Sequence, residues 1–253
     1  MLIFTPTLLL PLVLATGTPV LTMTTPEGKE QVVASAVTAD PAEEAAQEQA
    51  MEQAQQRVIA GQLDEALAQV DTVIGHYQAT YADPETRWYV ARSSEEELAY
   101  LLMAAVAADK GEAGAFKQAR ALRVQWANAW YLKGYALVEL KRLEEARAAL
   151  EHAVQLSPYN SRFHAELAEV AKAERKWDAA LAHFLAAEDA ADFSDERYQV
   201  RDRTRALRGQ AFAHVEMGKL DAAEKVLKRS LELDGNDARA REELEHIERL
   251  RKP

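Results

Sequence analysis

Apolar positions recur at helical spacing along most of the chain. In residues 127–160, Trp130, Gly134 and Leu137 fall on one face at intervals of four and three, and Leu143, Ala146, Leu150 and Ala153 repeat the pattern. The two stretches read as a pair of helices joined at Lys141-Arg142. Ser157-Pro158-Tyr159-Asn160 ends the second, because a proline disfavours helix in the residue before it. Gly134 and Ala146 are small where two helices about 8–10 Å apart must cross. Residues 161–194 repeat the pattern with Leu167, Ala168, Ala171, Ala180, Phe184 and Ala187, and Trp177 opens the second helix. Residues 204–237 repeat it with Ala211, Leu220, Ala223, Leu227 and Ser230, with Gly218 in the turn and Gly235-Asn236-Asp237 at the end.

The spacing between units is also informative. The unit at 204–237 starts later than a strict repeat requires, and the intervening residues 195–203 contain neither Pro nor Gly. They are therefore expected to extend the following helix backward, with Ser194 as its cap. Residues 47–80 form a weaker unit. Its second half is clear (Gly61, Leu63, Ala66, Val70, Val73), whereas its first has only Ala50, Ala54 and Val58. Between 80 and 127 the pattern is irregular. Tyr77, Tyr81, Trp88 and Tyr89 surround Asp83-Pro84, and Ser93-Ser94-Glu95-Glu96-Glu97 is a capping-box signal before Leu98, Leu101, Leu102, Ala105 and Val106. Gly111 and Gly114 then bracket a turn, and residues 115–124 are expected to close a degenerate helix pair over 94–126. Residues 238–251 read as one capping helix, with Leu244, Ile247 and Leu250 inward and the remainder mostly charged.

The unit at 127–160 resembles the tetratricopeptide repeat. Trp130, Gly134, Ala146, Ala153 and Pro158 occupy matching slots, Leu137 and Leu150 stand for Tyr and Phe, and Lys133 departs from the usual Leu. The resemblance covers about 47–251 and implies an all-α fold, an α-solenoid of antiparallel helix pairs winding as a right-handed superhelix with a C-terminal cap. On this reading residues 40–253 are the repeat domain, and residues 1–39 are a signal peptide or disordered segment.

The N-terminal stretch changes the expected location. Residues 1–21 are apolar, uncharged and interrupted by Pro6, Pro11 and Pro19, and the apolar core at 8–15 has signal-peptide length. No Lys or Arg precedes that core. Cleavage after Ala36 or after Ala39 fits a small-residue pattern, and residues 24–40 read as a polar linker. The expectation is export, to a Gram-negative periplasm or a similar space, with anchoring in the inner membrane by an uncleaved segment as the alternative. The chain has no Cys, which excludes disulfides, thiol nucleophiles and Cys-based zinc sites. Its net charge of −11 is uneven: −9 over 27–126, −2 over 127–191 and zero over 192–253. An acidic front half argues against general nucleic-acid binding.

Enzymatic chemistry finds little support. Glu243-Leu244-Glu245-His246 has the Glu-x-x-His spacing of di-iron bundles but occurs once, and His76, His152, His164, His183 and His214 show no ligand spacing. Phosphate-binding loops and nucleophile–base motifs are absent, so no catalytic, metal or cofactor residue is assigned. What remains is binding by a non-catalytic scaffold or adaptor. The resemblance implies a concave groove lined by the first helix of each pair. Helical periodicity places Asn128, Tyr131, Tyr135, Val138 and Glu139 there, then Arg162, Ala165, Glu169 and Lys172, then Arg205, Arg208, Phe212 and Val215. Tyr and Arg recur at binding hot spots, so a protein or peptide partner of unspecified identity is expected in that groove.

The carboxylate clamp of chaperone-tail-binding relatives is not reproduced. Tyr131, Tyr135, Glu166 and Gly209 stand where Lys, Asn, Asn and Arg would be, and only Arg205 agrees. The stripe Arg197, Arg201, Arg203, Arg205 and Arg208 is expected either to pair with acidic residues of neighbouring repeats or to dock an acidic segment. A self-assembling structural solenoid, using the aromatic insert at 77–89 or the charge asymmetry, is the alternative function, and a hydrolase is a third.

Overall fold

A computed structural model of the protein describes residues 19–24, 30–81, 83–110 and 116–252. The expected signal-peptide core at 8–15 and the Gly111–Gly114 turn lie outside the described residues. The chain divides into two compact units, Met1–Ala129 and Trp130–Pro253.

The first unit holds β1 (Val20–Thr24), β2 (Glu30–Ala36), α1 (Pro41–Ile59), α2 (Leu63–Thr80), β3 (Thr86–Val90), α3 (Ser94–Asp109) and β4 (Gln118–Leu122), and α4 (Trp126–Glu139) begins in it. The strands form one sheet in the order β1-β2-β4-β3. β1 and β2 are antiparallel with a register shift at Leu21/Thr22, and β4 lies parallel to both β2 and β3. Three expectations are corrected here. Residues 24–40 are not a linker, because they contain β2 and border β1. Residues 1–39 are accordingly not disordered throughout. Residues 94–126 are not a helix pair, because the second helix expected at 115–124 is β4.

The reason lies in pairing. β4 reads Gln-Ala-Arg-Ala-Leu, mostly helix formers, yet it has a strand neighbour on either side and buries Ala119, Ala121 and Leu122. Tertiary pairing outweighs a propensity difference that spans only about 1 kcal/mol. The signal that sequence reading passed over is β3, Thr-Arg-Trp-Tyr-Val, a β-branched and aromatic run followed by a helix and a second short segment: the pattern of a βαβ unit.

The aromatic insert packs inside this unit. Tyr77 stacks on Tyr81 and Trp126, Tyr81 meets Trp88 at 4.8 Å between centroids, and Tyr89 stacks on Tyr100 at 5.2 Å. Tyr77 Oη donates to Glu44 Oε2 at 2.6 Å, and the Gln125 N–H donates to Glu44 Oε1 at 2.9 Å. One carboxylate on α1 thus ties together α2 and the entry to α4. Burial pushes the Glu44 carboxyl up from its ordinary value, against the pull of these two hydrogen bonds.

The second unit is helical throughout its described residues. After α4 come α5 (Leu143–Leu156), α6 (Ser161–Ala173), α7 (Trp177–Ala190), a 3-10 turn (Ala191–Phe193), α8 (Glu196–Glu216), α9 (Leu220–Leu233) and α10 (Ala238–Leu250). Helices α6 to α10 pack in sequence order, each against the next. The backward extension is present: α8 runs 21 residues and begins at Glu196. Its cap is Asp195, whose side chain accepts from the Arg197 N–H; Ser194 instead donates its hydroxyl to Asp202 Oδ2 at 2.9 Å. Asp237 caps α10, whose Ile247 is buried.

Four helices end alike. After α1, α4, α6 and α8 the chain enters the left-handed region at Gly61, Lys141, Arg175 and Gly218, with φ of 75°, 62°, 59° and 72°. In each, one N–H reaches back five residues (Gln62 to Arg57, Arg142 to Leu137, Lys176 to Ala171, Lys219 to His214) and the residue before it reaches back three. This paired bond satisfies the last carbonyls of each helix. It turns the chain into its antiparallel partner at the same point every time.

Two glycines permit the closest crossings. A Cβ on Gly134 would stand 2.5 Å from Leu150 Cγ, and one on Gly209 would stand 2.3–2.4 Å from three atoms of the Phe184 ring. The first was legible from its repeat slot. The second was not, because the repeat spacing marks Ala211 as the small residue of that helix.

Candidate partner-binding surface

Helices α4, α6, α8 and α10 of the second unit bring their charged and aromatic side chains into one strip. Tyr131 on α4 stacks on Phe163 of α6 at 5.1 Å between centroids. The Arg162 guanidinium lies 5.1 Å over the Tyr131 ring and donates to its hydroxyl at 3.3 Å. Arg205 on α8 donates to Glu166 Oε1 on α6 at 2.8 Å. Lys172 Nζ donates to Glu169 at 2.9 Å and stands 4.3 Å over the Phe212 ring of α8. Trp177 meets Phe212 edge-on at 6.0 Å.

The electrostatics follow from this crowding. Burial pushes the Tyr131 phenol up, and Glu166 adds to that, while Arg162 and Arg205 pull the other way. Burial disfavours the charged form of Arg205, but Glu166, Tyr131 and Glu169 outweigh it and leave its pKa raised. On α10, burial pushes Glu243 up, opposed by Arg208 and Lys172.

Not every expected residue plays the expected part. Arg208 bonds Asp237 Oδ2, and the same carboxylate caps α10 and accepts from Ser230 Oγ at 3.0 Å. Arg208 thus holds the cap of the last helix in place. Asn128 lies in the first unit, where its amide donates to Gln125 Oε1 at 2.9 Å at the start of α4. Tyr135 and Phe212 are the aromatic groups of this set left open, each 37% exposed. In the sequence Glu166 marks only a departure from the carboxylate clamp, yet in the structure it is the acceptor for Arg205.

The arginine stripe resolves into ion pairs. Arg197 meets Asp195 at 2.9 Å, Arg201 meets Asp202 at 2.9 Å, Arg203 meets Asp192, Arg205 meets Glu166 and Arg208 meets Asp237. Each guanidinium has a carboxylate within the same unit. Arg197 and Arg201 also flank the half-exposed Tyr198 ring, at 5.4 and 4.3 Å.

With this geometry in view, the tetratricopeptide-repeat family model matches residues 127–160 and 209–237. These two segments are tetratricopeptide repeats. The first match covers α4 and α5, and the second opens on Gly209, the residue against which Phe184 packs. No curated protein sequence matches the chain significantly. Among solved structures, the chain resembles Pseudomonas aeruginosa pilF at 12% identity and a TM-score of 0.52, covering 80% of this chain and 67% of that one. It also resembles a MamA RS-1 ArsTM double mutant at 13% identity and a TM-score of 0.52, covering 81% of this chain and 84% of that one. The first TPR of Spaghetti (RPAP3), solved bound to an HSP90 peptide, is similar at 24% identity over 50% of this chain and 93% of its own, with a TM-score of 0.43. At these identities the likeness is one of fold.

Among the described residues no group of three or more His, Asp or Glu could hold a metal ion. His152 stacks on Trp130 at 4.3 Å, and His164 Nε2 donates to the Pro158 carbonyl at 2.8 Å. No helix of the described residues is long and apolar enough to cross a membrane.

Proposed function

We propose that the protein is an adaptor that docks a partner peptide or helix along the strip from Tyr131 to Phe212. The observation that carries this reading is the convergence of Tyr131, Arg162, Glu166, Arg205, Lys172 and Phe212, drawn from three first helices, with Tyr135 and Phe212 left open as aromatic anchors. A half-exposed aromatic beside paired charges gains energy when a partner covers it. The neighbouring ion pairs orient the partner and select against a wrong one. The helices are held rigidly by their paired turns, so little ordering cost falls on this side of the contact. The strip alternates in sign, which suits a partner segment carrying both charges rather than the acidic C-terminus a carboxylate clamp would take.

The test is a comparison of partner capture by wild type and by Tyr135→Ser/Phe212→Ser after crosslinking in cells. Both residues are partly exposed, and far-UV circular dichroism of the variant checks that the fold is kept. Loss of the same captured band from the variant supports the strip, and unchanged recovery removes it.

The same proposal places the protein in the cell envelope of a Gram-negative bacterium, supported by the apolar, uncharged stretch at 1–21 and the lack of Cys. Cleavage after Ala36 or Ala39 would strip β1 and β2 from the sheet, so removal of a leader falls upstream of Pro19 in this account. N-terminal sequencing of the protein from fractionated cells tests this, and a mature chain starting at Val37 or Asp40 would refute it. Self-assembly through the aromatic insert receives less support, since Tyr77 and Tyr89 are buried within the first unit.

A further inference from the structure

The first unit contains a cavity between α3 and the sheet that the repeat-based reading does not use. It measures about 210 Å³. Its floor is Val33 of β2, Tyr89 of β3 and Ala119 of β4, all buried. Its roof is the C-terminal part of α3, through Ala104, Ala107 and Ala108. Tyr89 stacks on Tyr100, one turn earlier in α3, at 5.2 Å between centroids, and this contact sets how far the helix stands from the sheet. Beyond the stack α3 presents only alanines to the cavity, and these are too short to close the gap.

The rim of this cavity is cationic. Arg87 and Tyr89 lie two residues apart on β3 and so share a face of the sheet. The Arg87 guanidinium stands 5.4 Å from the centroid of the Tyr89 ring and 5.6 Å from that of Phe116, and all three residues line the cavity. One cation is thus held at the wall by two aromatic rings. Arg87 has a further partner within the protein, but a guanidinium carries five N–H donors, so a ligand carboxylate can be taken beside it. Lys117, also on the rim, pairs with Glu85 at 2.5 Å, both side chains being more than half exposed. Such a surface pair contributes little and yields readily to a competing anion. Among the described residues, no Asp or Glu lines the cavity.

An apolar cavity of about 150 Å³ is enough to hold benzene, so this one admits one ring and a short carboxylate arm. We propose that the cavity binds a small monocarboxylate whose apolar body is about the size of one ring, the body between the α3 alanines and Tyr89 and the carboxylate at Arg87. Burial of the body against the floor supplies the hydrophobic part of the affinity. The guanidinium fixes the head group through a charge-assisted pair, with Lys117 as a second cation at the rim. An amine of the same shape would meet two cations and no acid. A bare small anion would leave the apolar floor uncovered. This site lies wholly within the first unit and does not depend on the partner strip.

The experiment uses the full chain. Benzoate, phenylacetate and hexanoate are screened by thermal shift at about 10 mM, and the best is titrated by calorimetry beside its amide and beside acetate. For phenylacetate the amide is phenylacetamide. The account predicts that at least one of the three acids binds with a Kd of about 1 mM or tighter. The amide, which has lost the charge, and acetate, which has lost the body, should each bind at least about tenfold more weakly. Arg87→Met and Ala104→Leu should each weaken binding by about tenfold or more, the first by removing the cation and the second by filling the cavity, while Arg249→Met in the other unit should not. Absence of binding by all three acids overturns the proposal. So does equal binding of the amide, which would mark a plain apolar pocket, or of acetate, which would mark a plain anion site. Wild-type affinity in Ala104→Leu would show that the ligand sits elsewhere and overturns it as well. The comparison of acid, amide and acetate needs no variant, so it decides the matter even if Arg87→Met fails to fold.

Discussion

Replacing Gly209 by alanine tests the packing argument most sharply, because helix propensity and core packing predict opposite signs. The new Cβ would lie 2.3–2.4 Å from Cε1, Cδ1 and Cζ of Phe184, so the ring must retreat by about 1 Å to reach ordinary contact. Phe184 is fully buried among Ala165, Ala168, Ala187 and Ala206, which have no side-chain length to give up. Overpacking of this kind costs up to about 3 kcal/mol, against about 1 kcal/mol gained by removing glycine from a helix interior. The expected net loss is about 2 kcal/mol, or a Tm lower by about 4–8 °C for a chain of this size. Gly75 is the control. It also lies inside a helix, but a Cβ there meets nothing within 4 Å, so Gly75→Ala should stabilise by about 0.5–1 kcal/mol. Urea denaturation followed by far-UV circular dichroism measures both. In a Phe184→Leu background the penalty of Gly209→Ala should vanish, a coupling of about 2 kcal/mol. If Gly209→Ala proves as stable as wild type while Gly75→Ala is stabilised, the close crossing of α7 and α8 is wrong.

The other expectations concern turns and caps. Lys141→Gly and Arg175→Gly should each stabilise by up to about 1 kcal/mol in the same denaturation assay, because both residues hold a left-handed φ that costs a side-chain-bearing residue about 1–2 kcal/mol, partly offset by the entropy glycine loses on folding. Asp237→Asn keeps an acceptor for the Ala240 N–H but removes the charge facing Arg208, and should cost about 2 kcal/mol at neutral pH. Burial opposes ionisation of Asp237, but Arg208, the Ala240 N–H and Ser230 outweigh it and hold its pKa below the ordinary value. A carboxyl with a lowered folded pKa gives stability that is complete above its unfolded pKa and lost as pH falls through the folded one. The gap between wild type and Asp237→Asn should therefore be constant near neutrality and close below about pH 4, as pH-dependent urea midpoints would show.

The sequence made the repeats legible through particular residues. Gly134, Ala146 and Pro158 mark a crossing and a stop, and each does in the structure what its slot implies. The lengthened α8 was legible because residues 195–203 contain nothing that breaks a helix. Strands β1, β2 and β4 were not, since Gln118-Ala-Arg-Ala-Leu is extended only because β2 and β3 flank it, and such pairing leaves no local signature. Gly209 escaped because its importance lies in the ring it faces, 25 residues away in sequence. The neighbourhood of these side chains was partly legible: periodicity put Tyr131, Arg162, Arg205 and Phe212 on one strip. It could not tell that Arg208 is committed to the cap of α10, or that Glu166 and Glu169 would neutralise the basic groups beside them.

The central claim is that the strip on α4, α6 and α8 is where a partner docks. Site-specific photocrosslinking in living cells tests it directly, with the photoreactive residue placed in turn at Tyr135, Phe212 and Leu185. Leu185 is exposed on α7, outside the strip. The account predicts a discrete crosslinked species from positions 135 and 212 and none from 185. The same species from all three, or from 185 alone, would contradict it.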